Sequence, residues 1–219
     1  WFSSGSHLHP SVGETVAAPD KVGAYSWVKA PRYNGQVTEV GPLARVLVNY
    51  AANSNTKLKA LVDGLLAELG RPLSDLASVM GRHAARALEC KVIADRVEDW
   101  LNALVPAQDG YVAFTIPTSG QGVGLTEAAR GALGHWLQIS SSVVSRYQCV
   151  VPTSWNASPR DDLGQPGPIE QALVGTPVAD PAHPSEAGGV GPVDVVIVND
   201  GDLPRLFDLV DAIAADVMD

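Results

Sequence analysis

Cysteine, histidine, carboxylate and arginine side chains carry whatever chemistry this 219-residue chain performs. Its two cysteines, Cys90 and Cys149, allow one disulfide at most. They exclude a site needing three or four thiolates from this chain alone. His7 and His9 are spaced to touch one metal ion weakly, but a stable geometry needs more partners. His83 falls on an apolar helical stripe and reads as a packed or hydrogen-bonded core residue. Arg160-Asp161-Asp162 predicts a salt-bridged loop ahead of a general acid pair. Gly120-Gln121-Gly122-Val123-Gly124-Leu125 has the glycine content of a phosphate loop. It lacks the Lys-Ser/Thr that follows one, and a strand pattern comes next, so it reads as a structural turn. There is no Gly-x-Ser-x-Gly elbow and no His-Glu-x-x-His. The most suggestive feature is Glu127-Ala128-Ala129-Arg130-Gly131, which sets an arginine beside glycines near a hairpin turn. Arginine there presents five fixed donors to an anion. A surface salt bridge to Glu127 is an equally open reading.

The elements that position these groups follow from periodicity. Residues 1–40, rich in Gly, Pro and Ser, read as loops and brief strands. Within them, Tyr25 to Tyr33 mixes aromatic and basic residues and reads as a packed loop with Lys and Arg stems on rings rather than a nucleic-acid surface. Apolar residues at three- and four-residue steps predict helix from Pro42 to Leu69. Asn53-Ser54-Asn55-Thr56 interrupts it and offers a new N-cap, and Gly70 is a stop. A second helix is predicted from Leu73 to Leu104, opened by Pro72 or Ser74. Its inner stripe runs through Leu76, Val79, Met80, His83, Ala87, Cys90, Val92, Ile93, Val97, Trp100, Leu101 and Leu104. Arg82, Arg86, Glu89, Arg96 and Asp99 pair along its other side. Such length points to a bundle inside a larger assembly.

Tyr111 to Ile116 reads as a strand, and residues 131–139 and 145–152 as a two-stranded hairpin. A short helix is predicted from Ile169 to Val174. In the tail, Val193 to Val198 reads as a buried strand and Asp202 caps a helix with Leu203, Leu206, Phe207, Val210, Ile213 and Val217 on one face.

Composition narrows the function classes. Hydrophobic residues make up 46%, enough for a buried core, and charged residues only 18%. A net charge of −9 argues against non-specific binding to nucleic acid or anionic membrane. No run of about 18 apolar residues marks a membrane span. The start, Trp1-Phe2-Ser3-Ser4-Gly5, has neither Met nor the charged and apolar run of a signal peptide, and reads as a fragment or a processed product.

Six colinear motifs together resemble the [NiFe]-hydrogenase large subunit, over roughly residues 20–187. They are Tyr25-Ser26-Trp27-Val28-Lys29-Ala30-Pro31-Arg32-Tyr33; Glu39-Val40-Gly41-Pro42-Leu43-Ala44-Arg45; Arg86-Ala87-Leu88-Glu89; Glu127 to Trp136; Tyr147-Gln148-Cys149-Val150-Val151-Pro152-Thr153-Ser154-Trp155-Asn156 with Ser158-Pro159-Arg160-Asp161; and Glu170 to Pro177. The resemblance covers the C-terminal part of the family's usual chain.

That family holds nickel through four cysteine thiolates, two of them bridging to an iron that carries cyanide and carbon monoxide, and a separate Mg or Fe divalent cation. Soft thiolates suit nickel, and buried anionic cyanides need donors. By resemblance, Arg130 is the arginine that overhangs the metals, donates towards cyanide and has been assigned a role as base. An arginine pKa above about 12 makes its deprotonated form a rare state. Thr153 matches the residue that bonds a cyanide, aided by backbone near Val151 and Pro152. The carbonyl of Cys149 matches a ligand of the divalent cation, while its thiol is not a nickel ligand. Where many relatives carry Pro before the arginine, this chain has Ala129, which frees the backbone there.

The departures are as informative. The family's second cysteine pair, Asp-Pro-Cys-x-x-Cys with a following His, falls soon after the position of Glu186. Here the chain reads Gly188-Gly189-Val190-Gly191-Pro192-Val193-Asp194 instead. The first pair lies upstream of anything present. No nickel thiolate ligand remains.

The expected fold is α+β and mainly helical, a long-helix bundle with a small β-hairpin region. Residues 1–187 form a partial large-subunit domain and 188–219 a divergent βα tail. The implied function is reversible, heterolytic hydrogen oxidation, with electrons passed to an iron–sulfur small subunit and this chain alone inactive. A maturation scaffold for the Fe(CN)2CO unit and a degenerate remnant are the alternatives. The compartment stays open between cytoplasm and a membrane-associated or periplasmic site reached with the partner subunit. Neither nucleic acid nor direct membrane insertion is expected.

Overall fold

The computed structural model describes residues 9–12 and 15–174. The strand and helix expected between Val193 and Val217 lie outside them, as does His7. The described residues divide into two compact units. One runs from Pro42 to Gly110. The other joins the residues up to Gly41 with those from Tyr111 onward.

The first unit is helical. Helices α1 (Pro42–Ala52) and α2 (Thr56–Leu69) are separated at the predicted interruption. Asn55 caps α2, its side-chain oxygen accepting from the Leu58 amide at 3.0 Å. Gly70 closes it in the left-handed region, where glycine carries no Cβ penalty. The long helix predicted over 73–104 is broken. Leu73–Ala77 is a 3-10 turn, and α3 runs Val79–Asn102. Ser78 makes the break, its hydroxyl donating to the Asp75 carbonyl at 2.7 Å and accepting from the Gly81 amide at 3.0 Å.

The core of this unit is Leu43 and Val46 of α1, Leu58, Val62 and Leu65 of α2, Leu76, and Ala84, Ala85 and Leu88 of α3. Of the predicted inner stripe, Leu76 and Val79 are buried and Met80 and Val92 pack against the core, while its later part is not inside. Small residues Gly81, Ala84 and Ala85 sit inside because they let the turn at Leu76 and the neighbouring helices approach. Cys90, Ile93, Val97, Trp100, Leu101 and Leu104 are exposed. Glu89, expected to pair along α3, instead takes both Nε and Nη2 of Arg45 on α1, the latter at 2.6 Å. Arg96 and Asp99 do pair along the helix, at 3.9 Å.

The second unit is built on an antiparallel sheet of β1 (Ser119–Ala128), β2 (Gly131–Ser140) and β3 (Val143–Val150), in that order. The predicted β2–β3 hairpin is present. Ser141 and Ser142, both at positive φ, form its two-residue turn. The glycine-rich stretch expected to turn is strand β1, paired residue for residue with β2. Ladder hydrogen bonds override weak strand propensity, and Gly122 lies against the Leu137 side chain. Tyr111–Ile116 forms no strand, because no neighbouring edge pairs with it. Its Tyr111, Val112, Phe114 and Ile116 are exposed. Short helices α4 (Pro152–Asn156) and α5 (Pro168–Leu173) complete the unit, the latter where a helix is predicted. Among the described residues no helix is long and apolar enough to cross a membrane.

Candidate functional site

Ala128 pairs with Gly131, so Ala129 and Arg130 alone make the β1–β2 turn. Arg130 stands at its tip, exposed. The turn is seated on Val40-Gly41. Gly131 has φ +132°, and a Cβ added to it would lie 2.7 Å from both the Gly41 nitrogen and Val40 Cγ2. Gly41 has φ +130°, and its own added Cβ would lie 3.0 Å from the Arg130 carbonyl oxygen. Two glycines are needed here, because each backbone occupies the space of the other's side chain.

The same segment is gripped by α4. Asn156, its last residue, accepts from the Val40 amide at 2.9 Å and donates to the Val40 carbonyl at 2.8 Å. Thr153 lies in the first turn of α4, half-buried, between buried Pro152 and Ser154. Val151, its N-cap, is more than a third exposed. Val40-Gly41 thus touches both the turn carrying Arg130 and the helix carrying Thr153. The pattern Pro-Thr-Ser-Trp-Asn gives no local signal for this, since the bonded residues are 116 positions apart.

Cys149 is the penultimate residue of β3, opposite His135 on β2. Its sulfur is 4.0 Å from His135 Nε2, and His135 Nδ1 meets the Tyr147 hydroxyl. Next to it, Gln148 accepts from Lys29 Nζ at 2.8 Å. Burial holds the Lys29 ammonium below the usual lysine range. The Tyr25–Tyr33 stretch is a loop held by hydrogen bonds and ion pairs, with the rings of Tyr25, Trp27 and Tyr33 exposed rather than covered by basic stems. Arg32 reaches Asp161, Ser158 and the carbonyls of Pro31, Pro159 and Gln165. Asp161 and Asp162 are salt-bridged as predicted, to Arg32 and Lys21. His9 bonds Ser11 at 2.7 Å and sets its ring edge-on to Trp136.

No metal cluster is preassembled: among the described residues no three or more of His, Cys, Asp and Glu gather. Cys90 and Cys149 belong to different units and are both free thiols. The arrangement offers an exposed guanidinium and a hydroxyl as anion donors, on two elements tied to one backbone segment.

Comparison with known proteins gives one consistent result. The family profile described as "Nickel-dependent hydrogenase" matches residues 1–189. The chain is 50% identical to the periplasmic [NiFeSe] hydrogenase large subunit of Desulfomicrobium baculatum, over 83% of this chain and 36% of that protein. It is 44% identical to the Hydrogenase-1 large chain of Escherichia coli K12, over 74% of this chain and 29% of that protein. Among solved structures, an anaerobically purified D. baculatum [NiFeSe]-hydrogenase superposes with TM-score 0.69 at 48% identity, covering 79% of this chain and 36% of that one. The reduced Ni-Fe-Se hydrogenase of D. vulgaris Hildenborough gives 0.69 at 42% identity, covering 81% and 38%. The chain spans about a third of the length of these relatives.

Proposed function

Because the chain belongs to the nickel-dependent hydrogenase family, we propose that it is part of a hydrogenase large subunit. The whole protein would oxidise hydrogen reversibly and heterolytically and pass electrons to an iron–sulfur small subunit. The family match over residues 1–189 carries this reading. The described fold, α+β with helices and a three-stranded antiparallel sheet, is compatible with it. We place the large-subunit portion at 1–187 and treat 188–219 as a divergent tail.

The residues present fit the family's metal group only in part. Nickel needs soft thiolates, and neither Cys90 nor Cys149 has a second sulfur beside it. The nickel ligand set does not fit this chain, and no step is assigned to it. The donors wanted around an iron-bound cyanide do fit. In our reading Arg130 donates to cyanide, Thr153 bonds a second acceptor aided by the backbone at Val151 and Pro152, and the Cys149 carbonyl serves a Mg or Fe divalent cation. The cofactor, when bound, supplies the metal that polarises hydrogen. The protein's own part is to hold fixed positive charge where anionic ligands sit, which spares their burial cost.

The purified chain is expected to bind no stoichiometric nickel and to reduce no dye with hydrogen. Metal analysis and a hydrogen-dependent dye assay check both, and tight nickel with turnover would overturn the assignment. Arg130→Lys in a complete large subunit is expected to lower turnover about 10²-fold, since lysine cannot reproduce the planar donor fork.

A second reading, a scaffold for assembling the Fe(CN)2CO unit, is favoured by one observation: Gly188-Gly189-Val190-Gly191-Pro192 stands where the family's terminal cysteine pair falls. Co-purification decides between them. A working subunit brings down the small subunit, and a scaffold brings down accessory proteins.

A further inference from the structure

We propose that Asn156 is a positioning residue for Arg130. The proposal rests on the reading of Arg130 given above and adds a residue whose role is to hold that arginine in place.

The argument begins with backbone accounting. Residues 37–40 belong to no helix or strand, so the Val40 peptide groups have no ladder to join. Buried or half-buried backbone donors and acceptors need partners. The single Asn156 amide satisfies both: its oxygen accepts from Val40 N–H at 2.9 Å and its nitrogen donates to Val40 C=O at 2.8 Å. The side chain does what a neighbouring strand would do. It fixes the orientation of the two peptide planes that flank the Val40 Cα.

That orientation decides where Arg130 stands. Val40 Cγ2 and the Val40 carbonyl carbon lie 2.7 and 2.9 Å from the Cβ position of Gly131, and the Arg130 carbonyl lies 3.0 Å from that of Gly41. The turn is only two residues long, so a shift of its seat moves the whole arginine. Without Asn156, two backbone polar groups lose their partners, and the peptide planes on both sides of Val40 are free to turn towards water. Gly131 then has no fixed surface to rest on. Ala129 precedes the arginine and does not lock φ as a proline would, so the turn depends more on this seat. Asn156 also ends the helix that carries Thr153. One amide therefore sets the distance between the two candidate donors.

The test uses the complete large subunit paired with its small subunit, carrying Asn156→Ala or Asn156→Asp, with Arg130→Lys as reference. Asp has nearly the same size as Asn but places an oxygen against the Val40 carbonyl. It is read if the Ala variant does not accumulate. The readouts are the infrared stretching bands of the iron-bound cyanides and the kinetic constants for hydrogen. Expected is a displaced cyanide band, moved in the sense seen for Arg130→Lys, and a kcat lower by about 10- to 100-fold with KM little changed. Assembled enzyme with unmoved bands and normal kcat, even if less heat-stable, would overturn the positioning role while leaving Arg130 in place. Unmoved bands and normal turnover in Arg130→Lys itself would instead overturn the reading of Arg130, and the proposal with it.

Discussion

Arg32 and Asp161 form an ion pair of 2.8 Å between Nε and Oδ2, with side chains only 11% and 13% exposed. The pair joins two sequence motifs 129 residues apart. Around it, Arg32 Nη1 donates to the buried Ser158 hydroxyl at 3.1 Å and Nη2 to the Gln165 carbonyl at 3.1 Å. The amides of Leu163 and Gln165 donate to Asp161 Oδ1. Nearly every donor and acceptor of the pair is satisfied, which is the condition for burying charge.

Asp161→Asn is expected to destabilise the sheet-bearing unit by about 2–4 kcal/mol, because it leaves the Arg32 charge buried and unpaired. The pH dependence follows. Burial pushes the Asp161 carboxyl up, but the Gln165 amide, the Arg32 guanidinium and the Leu163 amide together hold it below the usual carboxylate range. A depressed folded pKa means that its stabilisation is present above the unfolded value of about 3.9 and is lost as pH falls through the folded value. Thermal melts between pH 7 and pH 2 should show wild type losing more stability than Asp161→Asn at the acid end. Parallel curves would refute the assignment.

Two helical glycines should respond to alanine with opposite signs. Gly64 on α2 has open space where a Cβ would go, so Gly64→Ala should stabilise by about 0.5–1 kcal/mol through helix propensity. At Gly81 an added Cβ would lie 2.3 Å from the Leu76 carbonyl oxygen and 2.4 Å from its Cα. Gly81→Ala should therefore cost about 1–3 kcal/mol or more, by forcing the 3-10 turn off α3. Denaturant unfolding of the two variants checks both signs.

Gly131→Ala should cost more than Gly35→Ala. Both have positive φ, worth roughly 1–2 kcal/mol for an L side chain, but Gly35 faces open space while Gly131 meets Val40 and Gly41. Comparative melting temperatures decide, and equal losses would show that the seat of the turn yields freely.

The exposed half of α3 should be tolerant where its first turns are not. Leu88, 2% exposed, lies in the core, and Leu88→Ala should cost about 2–5 kcal/mol. Trp100, 56% exposed, should tolerate alanine within about 0.5 kcal/mol in this chain. Chemical denaturation of both variants measures the contrast.

Local signals account for what was legible in advance. The cap at Asn55 and the stop at Gly70 are written within a few residues of where they act. The later part of the α3 stripe differs from the expectation because hydrophobicity marks large residues. The inner face is chosen by closeness of approach, which favours Gly81, Ala84 and Ala85. Strand β1 differs from the expected turn for the converse reason: three glycines in ten residues argue for a turn until a partner strand is in place.

The sequence by itself determined the family, through six colinear motifs, and set Arg130 beside glycines as a candidate donor. Its two cysteines also set aside a complete nickel thiolate site within this chain. Only the tertiary structure decided what holds that arginine. The grip of Asn156 on Val40 and the interlock of Gly41 with Gly131 join residues about 90 to 116 positions apart. They depend on backbone groups and empty space, which carry no residue-type pattern. Side-chain chemistry is written one residue at a time, whereas the partner of a peptide group is settled only when the chain has folded back on itself.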